Sequence, residues 1–351
     1  MFYLKYRPQT IFEIDNLQAK ETISKILESK TLPHAFLFVG SKGTGKTSTA
    51  RILAKAVNCL NNKFSHKTSS YEPCNKCANC KSIGLSSFTD VVEMDAASNR
   101  GIEEIKNLIR ETSFLPMSGG YRVFIIDEAH MITNEGFNAL LKTLEEPPNS
   151  AIFILATTNL EKVPKTIVSR CLKINFGRAN ATDMFSMLKR ITKNENIDLH
   201  DNLLKLIAGH SENSFRDAAK ILEEVTFQKI KSVDELEKFL GIRGRGDLIE
   251  IIEKKDVKTA LAWINNFSEN GGDFKNLIED MLNQLHRQIL IKNNISDIEG
   301  KKTTLTLNEI SLLMKLLIEA YQNLKNTPID SIPVEIALTE FYNKVEGKKL
   351  I

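Results

Sequence analysis

The chain has no apolar run long enough to span a bilayer, and its start, Met1-Phe2-Tyr3-Leu4-Lys5, carries no apolar leader segment. Those absences argue against a membrane role and give a cytoplasmic address as the expectation. Charge of one sign is also scarce. A net +3, from 47 basic and 44 acidic residues, is too slight to argue for a nucleic-acid partner by itself. There is no internal repeat of fixed period and no low-complexity stretch, so a repeat architecture is excluded. Cysteine is rare, with five in the chain, and four of them fall between positions 59 and 80. Clustering of that kind points to metal before disulfides. What remains is 351 residues, 42% hydrophobic and 26% charged, the make-up of a globular protein with two or three domains.

The most informative stretch is Gly40-Ser41-Lys42-Gly43-Thr44-Gly45-Lys46-Thr47, a full G-x-x-x-x-G-K-[ST] phosphate loop. It follows the apolar run Ala35–Val39, read as a buried strand, and precedes Ser48–Ala56, read as a helix. The glycines let the backbone wrap around a triphosphate, and the positive end of the following helix adds attraction. Lys46 would reach the β- and γ-phosphates of ATP, and the Thr47 hydroxyl would ligate Mg2+. A plain glycine turn has no need of the Gly-Lys-Thr ending.

Up to about Phe176 short apolar runs alternate with helical patterns, which predicts an α/β domain with a parallel sheet. Strands are expected at 35–39, 91–94, 122–126, 151–155 and 172–176, and a helix over 136–146 that Pro147-Pro148 stops. Beyond Phe176 the strands disappear. Amphipathic helices include Met184–Thr192 and Asp217–Val225, the run 241–246 reads as a linker, and 247–346 reads as a helical bundle. The expected division is therefore 1–178, 179–241 and 242–351.

Within the first domain, Val123–Ile126 leads into Asp127-Glu128. A carboxylate at the end of a neighbouring strand can face the phosphate loop, so Asp127 is expected to hold Mg2+ and Glu128 to polarise the attacking water. Ala156-Thr157-Thr158-Asn159 ends the next strand with hydroxyls where a γ-phosphate sensor belongs. Arg170, in Ser169-Arg170-Cys171, reads either as a finger reaching a neighbouring subunit's ATP or as a surface ion-pairing arginine. Arg216 sits at a helix start, against the dipole preference, which hints at a phosphate partner unless Asp217 satisfies it. Cys74-x-x-Cys77-x-x-Cys80 offers three thiolates and Cys59 a fourth, an all-cysteine set suited to structural zinc. Cys171 stands apart and is not expected as a ligand. His66, in the polar stretch 61–73, is a possible competitor.

The strings Asp95-Ala96-Ala97-Ser98-Asn99-Arg100-Gly101 and Phe137–Pro148 resemble the gamma/tau subunit family of bacterial DNA polymerase III, the AAA+ ATPases of the replicative clamp loader. Tyr6-Arg7-Pro8-Gln9-Thr10 and Ala156-Thr157-Thr158 before Ser169-Arg170-Cys171 match it too. The resemblance is dense over 3–225 and thinner to about 345. It implies an AAA+ P-loop fold with a five-stranded parallel sheet, a zinc module at 59–80, a helical lid and a helical collar. Tyr6 and Arg7 would lie near the adenine, with Ser48 among the loop residues. Thr158 would sense the γ-phosphate, Arg216 would report nucleotide state, and Arg170 would act in trans. Asn99 and Arg100 would start a helix facing the DNA backbone. The implied partners are delta and delta-prime subunits in a pentamer, the sliding clamp and primed DNA.

Three departures accompany it. Asn16-Leu17-Gln18 stands where the family has Val-Gly-Gln, Asn213 replaces a glycine before the lid arginine, and the 61–73 connection is longer. The segments by which long tau forms bind helicase and polymerase core are missing, so tethering of the core is not expected. A helicase would need a second α/β domain, whereas 180–351 reads as helical. A catalytically dead delta-prime-like scaffold would have a degraded phosphate loop, yet Lys46, Thr47, Asp127 and Glu128 are all present.

Overall fold

The five expected apolar runs are strands: β1 (Ala35–Gly40), β2 (Val91–Asp95), β3 (Arg122–Asp127), β4 (Ala151–Thr157) and β5 (Leu172–Gly177). The structure, a computed structural model, describes residues 1–29, 31–99, 101–240, 245–254, 256–269, 271–293, 295 and 303–346. The chain divides into two compact units, Met1–Lys231 and Ser232–Ile351.

In the first unit every strand pairing is parallel and the sheet order is β2-β3-β4-β1-β5. The helices are α1 (Phe2–Lys5), α2 (Leu17–Glu28), α3 (Lys46–Asn58), α4 (Ala78–Gly84), α5 (Ile102–Thr112), α6 (Asn134–Glu145) and α7 (Lys165–Val168). Strand side chains alternate between two cores. Phe36, Phe38, Val123, Ile125 and Ile154 join Ile23 of α2 and Leu53 of α3 on one face. Leu37, Phe124, Ile126, Phe153 and Leu155 join Ile105 of α5, Leu140 of α6 and Ile167 of α7 on the other. Burial on both faces is why these strands read as unbroken apolar runs rather than as alternating ones. Three further helices complete the unit: α8 (Ala181–Glu195), α9 (Asp201–Gly209) and α10 (Phe215–Phe227).

Among its described residues the second unit has helices and no strand: α11 (Val233–Phe239), α12 (Arg245–Glu253), α13 (Val257–Glu269), α14 (Phe274–Lys292), α15 (Leu307–Asn323) and α16 (Ile332–Glu346). Its core is built from residues such as Leu277, Met281, Leu313, Leu317, Leu338 and Phe341. Thr306 and Glu309 form a reciprocal capping box that starts α15.

Two local expectations shift. Helix α5 starts at Ile102 behind Gly101, not at Asn99. The Asn99 amide donates to the Asp95 carbonyl at 2.9 Å, and the Asp95 carboxylate accepts from Ala97 at 2.8 Å. That pair of local bonds closes a turn after β2 instead of opening a helix. Arg100 lies outside the described residues. Positions 241–244 of the expected linker also lie outside them, and Arg245 already belongs to α12. No helix among the described residues is long and apolar enough to cross a membrane.

Candidate nucleotide site and cysteine module

The phosphate loop joins β1 to α3 at the carboxyl end of the sheet, and Asp127 ends β3 on the same side. Open parallel sheets bind ligands at that end. Gly43 and Gly45 have φ of 76° and 96°, a region that side chains other than glycine's rarely adopt. A Cβ on Gly43 would also lie 2.0 Å from Ser214 Oγ, so the loop and the N-terminus of α10 approach too closely for any other residue. The Phe215 amide closes that contact by donating to the Gly43 carbonyl at 3.1 Å.

A cavity of about 330 Å³ opens here. It is lined by Tyr6, Arg7, Lys42, Gly43, Thr44, Gly45, Lys46, Thr47, Ser48, Asp127, Glu128 and Arg216, so most of the expected binding residues converge. The Lys46 ammonium is buried and donates to the carbonyls of Gly40 at 2.9 Å and Ser41 at 2.7 Å. Burial holds its pKa below the usual lysine value, against the pull of Glu128 and Asp127. The Thr44 hydroxyl donates to the Ser41 carbonyl at 2.9 Å, and Arg7 Nε donates to Ser48 Oγ at 2.7 Å.

The Thr47 hydroxyl donates to Asp127 Oδ2 at 2.5 Å. A hydroxyl and a carboxylate so close supply the hard oxygen ligands that Mg2+ prefers, so the residues fit that ion. Glu128 follows with φ of 46° in the left-handed region, which swings its carboxylate out of the strand's direction. Thr158 Oγ1 donates to Glu128 Oε2 at 3.1 Å. His130 Nδ1 lies 3.4 Å from the same oxygen and 3.2 Å from the hydroxyl of Thr157. Glu128 is thus held by the end of β4, not by the phosphate loop.

Arg170 does not line the cavity. It pairs with Glu145 of α6 in its own chain and donates to the Thr166 carbonyl at 2.7 Å. Arg216 does line it, with the guanidinium stacked 5.0 Å from the Tyr3 ring centroid. Asp217 instead pairs with Lys220 at 3.3 Å. Asn213, in place of the family's glycine, has φ of 56°, a conformation asparagine tolerates.

Tyr3, Ile14 and Asp15, which no motif in the sequence announces, also line the cavity, as does Asn16, marked in the sequence only as a departure from the family pattern. Asn16 caps α2 by accepting from Ala19 at 3.0 Å, and its amide donates to the Phe176 carbonyl at 2.6 Å. An asparagine directly before an amphipathic run is a helix-start signal and would have located it. Asp15 pairs with Arg190 of α8 at 3.0 Å. Burial raises its pKa to about 6 despite the arginine, and nothing in the local sequence announces either effect.

The sulfurs of Cys59, Cys74, Cys77 and Cys80 all lie within 4.8 Å of one another. Tetrahedral zinc thiolates would sit about 3.8 Å apart, so the four suit Zn2+ after a small contraction. Backbone amides already point at the sulfurs: Cys74 N–H to Cys59 Sγ at 3.4 Å, and Cys77 N–H to Cys74 Sγ at 3.3 Å. Burial alone would raise the Cys74 thiol, but the amides of Lys76 and Cys77 outweigh it and bring it down to about 6. Cys171 is outside the group, and burial pushes its thiol up to about 12. His66 is exposed and is not part of the cluster either.

The profile of the family described as DNA polymerase III, delta subunit, matches residues 16–180. DNA polymerase III subunit gamma of Buchnera aphidicola subsp. Baizongia pistaciae is 34% identical, over 97% of this chain and 95% of that protein. The chain belongs to the gamma/tau family of DNA polymerase III subunits. Subunit tau of Bacillus subtilis is 36% identical over 96% of the chain, which spans 62% of that relative. Subunit tau of Escherichia coli is 31% identical over 95% of the chain, which spans 54% of it. Family membership and the sheet order together make the first unit an AAA+ P-loop fold, as the sequence resemblance implied.

Proposed function

We propose that this gamma/tau chain is an ATP-hydrolysing subunit of the bacterial replicative clamp loader. The observation that carries the reading is the 2.5 Å contact between Thr47 and Asp127, beside Lys46 and followed at once by Glu128. ATP would occupy the cavity with its phosphates on the amides of Gly43–Thr47 and on Lys46. Mg2+ bound at Thr47 and Asp127 would draw charge from the β- and γ-phosphates as hydrolysis proceeds. Glu128, tethered by Thr158 and neighboured by His130, would orient the attacking water and accept its proton. Thr158 and Arg216 would report the γ-phosphate, one through Glu128 and the other through α10. Arg170 would stabilise the transferring phosphoryl group of an adjacent subunit, leaving Glu145 to do so.

The domain assignment that fits this reading is an AAA+ domain over 1–178 with a zinc module at 59–80, a lid over 179–241 and an oligomerising collar over 242–351. Zn2+ on the four cysteines is structural in it. The chain would work in the cytoplasm, in a pentamer with delta and delta-prime subunits that opens the sliding clamp and leaves it closed on primed DNA.

Steady-state hydrolysis by the reconstituted complex, with and without clamp and primed DNA, tests the assignment. Glu128→Gln should retain ATP binding and lose about 100-fold or more in hydrolysis, the usual weight of a general base. Arg170→Ala should abolish the stimulation by clamp and DNA. Stimulation that survives in Arg170→Ala would refute the action in trans, and hydrolysis that survives in Glu128→Gln would remove it as the base.

A further inference from the structure

The cavity wall contains one continuous strap, residues 6–16. Tyr6, Arg7 and Pro8 line the cavity at its start, and Ile14, Asp15 and Asn16 line it at its end. Its middle is tied to the cysteine module. The Glu72 carboxylate accepts from the Ile11 amide at 2.9 Å and from the Phe12 amide at 3.0 Å, one oxygen to each. Asn75, inside the Cys74-x-x-Cys77 turn, donates from Nδ2 to the Gln9 carbonyl at 3.2 Å. Lys55 of α3, which begins at the phosphate loop, donates to Gln9 Oε1 at 2.6 Å and to Asn75 Oδ1 at 3.1 Å. Strap, module and phosphate-loop helix therefore meet at one buried ammonium.

The long 61–73 connection is folded so as to deliver Glu72. Asn62 is wholly buried and donates to the carbonyls of Ala56 at 2.7 Å and Tyr71 at 3.2 Å, fastening the loop across the end of α3. Asn75 itself has φ of 54°, a conformation imposed by the turn between two cysteines. Closing four sulfurs on one ion would fix that turn and hence the side chain that grips Gln9.

We propose that the cysteine module tethers the 6–16 strap, with Glu72 and Asn75 as positioning residues that set Arg7 against Ser48 and so tighten the nucleotide cavity. The inference rests on the nucleotide reading of that cavity. It gives the 61–73 loop and the module a task at the ATP site, since the module itself offers no open ligand position for chemistry.

Equilibrium titration of the full chain with a fluorescent ATP analogue and Mg2+, alongside its zinc content, tests the tether. Glu72→Ala combined with Asn75→Gly removes three strap bonds yet keeps the backbone freedom that position 75 needs. Losing three modest hydrogen bonds that act on the cavity only through the strap predicts roughly tenfold weaker binding, with zinc content as in the wild type. Glu72→Gln keeps one acceptor oxygen and should fall between wild type and Glu72→Ala. In an Arg7→Ala background the double change should lose more than half of its effect, because what it positions is gone. Wild-type affinity in the double variant, or full additivity with Arg7→Ala, would overturn the tether alone. Wild-type chain that does not take up the analogue, or Lys46→Ala that takes it up unchanged, would overturn the nucleotide reading and the tether with it.

Discussion

The two units are held together by different kinds of interior. In residues 1–231 the buried set includes Lys46, Lys55, Asn58, Asn62, Asp90 and Thr157, each at 6% exposure or less. Most of these have specified partners: Asp90 alone accepts from the amides of Met117, Ser118 and Gly119 at 2.7–2.8 Å. In the second unit the described buried polar residues are Thr303 and Ser331, against a large apolar core. A buried polar group is costly unless its partners are in place, so where it is paired it fixes geometry at one point. An apolar core fixes shape by volume and accepts many sequences. Specific chemistry gathers in the first kind of interior, and the cavity and cysteine module lie there.

The largest effect that would sharpen this difference is a cavity in the apolar core. Phe341 is wholly buried on α16, so Phe341→Ala should destabilise the second unit by about 3–5 kcal/mol. Because every residue lining the cavity lies between positions 2 and 219, affinity for an ATP analogue should be unchanged at temperatures where both units remain folded. Denaturant unfolding and analogue titration of the same sample check both halves. A matching fall in affinity would break the separation between the two interiors.

A smaller effect concerns a buried charge in the first unit. The Asp15 carboxyl has a folded pKa of about 6 against an ordinary 3.8, so the folded chain holds the proton more tightly than the unfolded one. Its contribution to stability is therefore fully present below about pH 4 and is lost as pH rises through 6. In Asp15→Asn that pH dependence is gone. The stability advantage of wild type over the variant should shrink by at most about 3 kcal/mol from pH 4 to just above pH 6, then level off. A flat difference across that range would mean that Arg190, 3.0 Å away, offsets the burial entirely.

The sheet was legible because a doubly covered parallel sheet writes each strand as an apolar run, and the expected 35–39 and 122–126 each stop one residue short of the observed strands. The phosphate loop was legible because glycine spacing is itself the geometry. The cysteine set was legible for the same reason: ligand spacing is short-range. What stayed hidden runs across the fold. Asp15 meets Arg190, Glu72 meets Ile11, and Tyr3 meets Arg216, pairs separated by tens to hundreds of residues and made by tertiary packing alone. Asn99 failed differently, since Asp95 captured its amide and closed a turn where the family resemblance implied a helix start.

The smallest expected effect tests whether aromatic packing, as well as polar bonding, organises the site. Tyr3 belongs to α1, four residues long and too short to be stable without its anchors. Lys5 Nζ and the Tyr6 hydroxyl both donate to Glu195 of α8, at 2.6 and 2.7 Å, and the Phe2 amide donates to Glu223 of α10 at 3.2 Å. So held, the Tyr3 ring lies 5.0 Å from the Arg216 guanidinium and 5.9 Å from the Lys220 ammonium. A cation over an aromatic face at a partly exposed site is worth about 0.5–1 kcal/mol, which predicts a two- to fivefold loss of ATP-analogue affinity in Tyr3→Ala. Tyr3→Phe keeps the ring face and should bind as the wild type does. If Phe fails to restore affinity, the hydroxyl and not the ring positions Arg216. If Ala binds as well as wild type, Arg216 is placed by α10 alone, and the first unit's site is organised by its polar contacts without help from this ring.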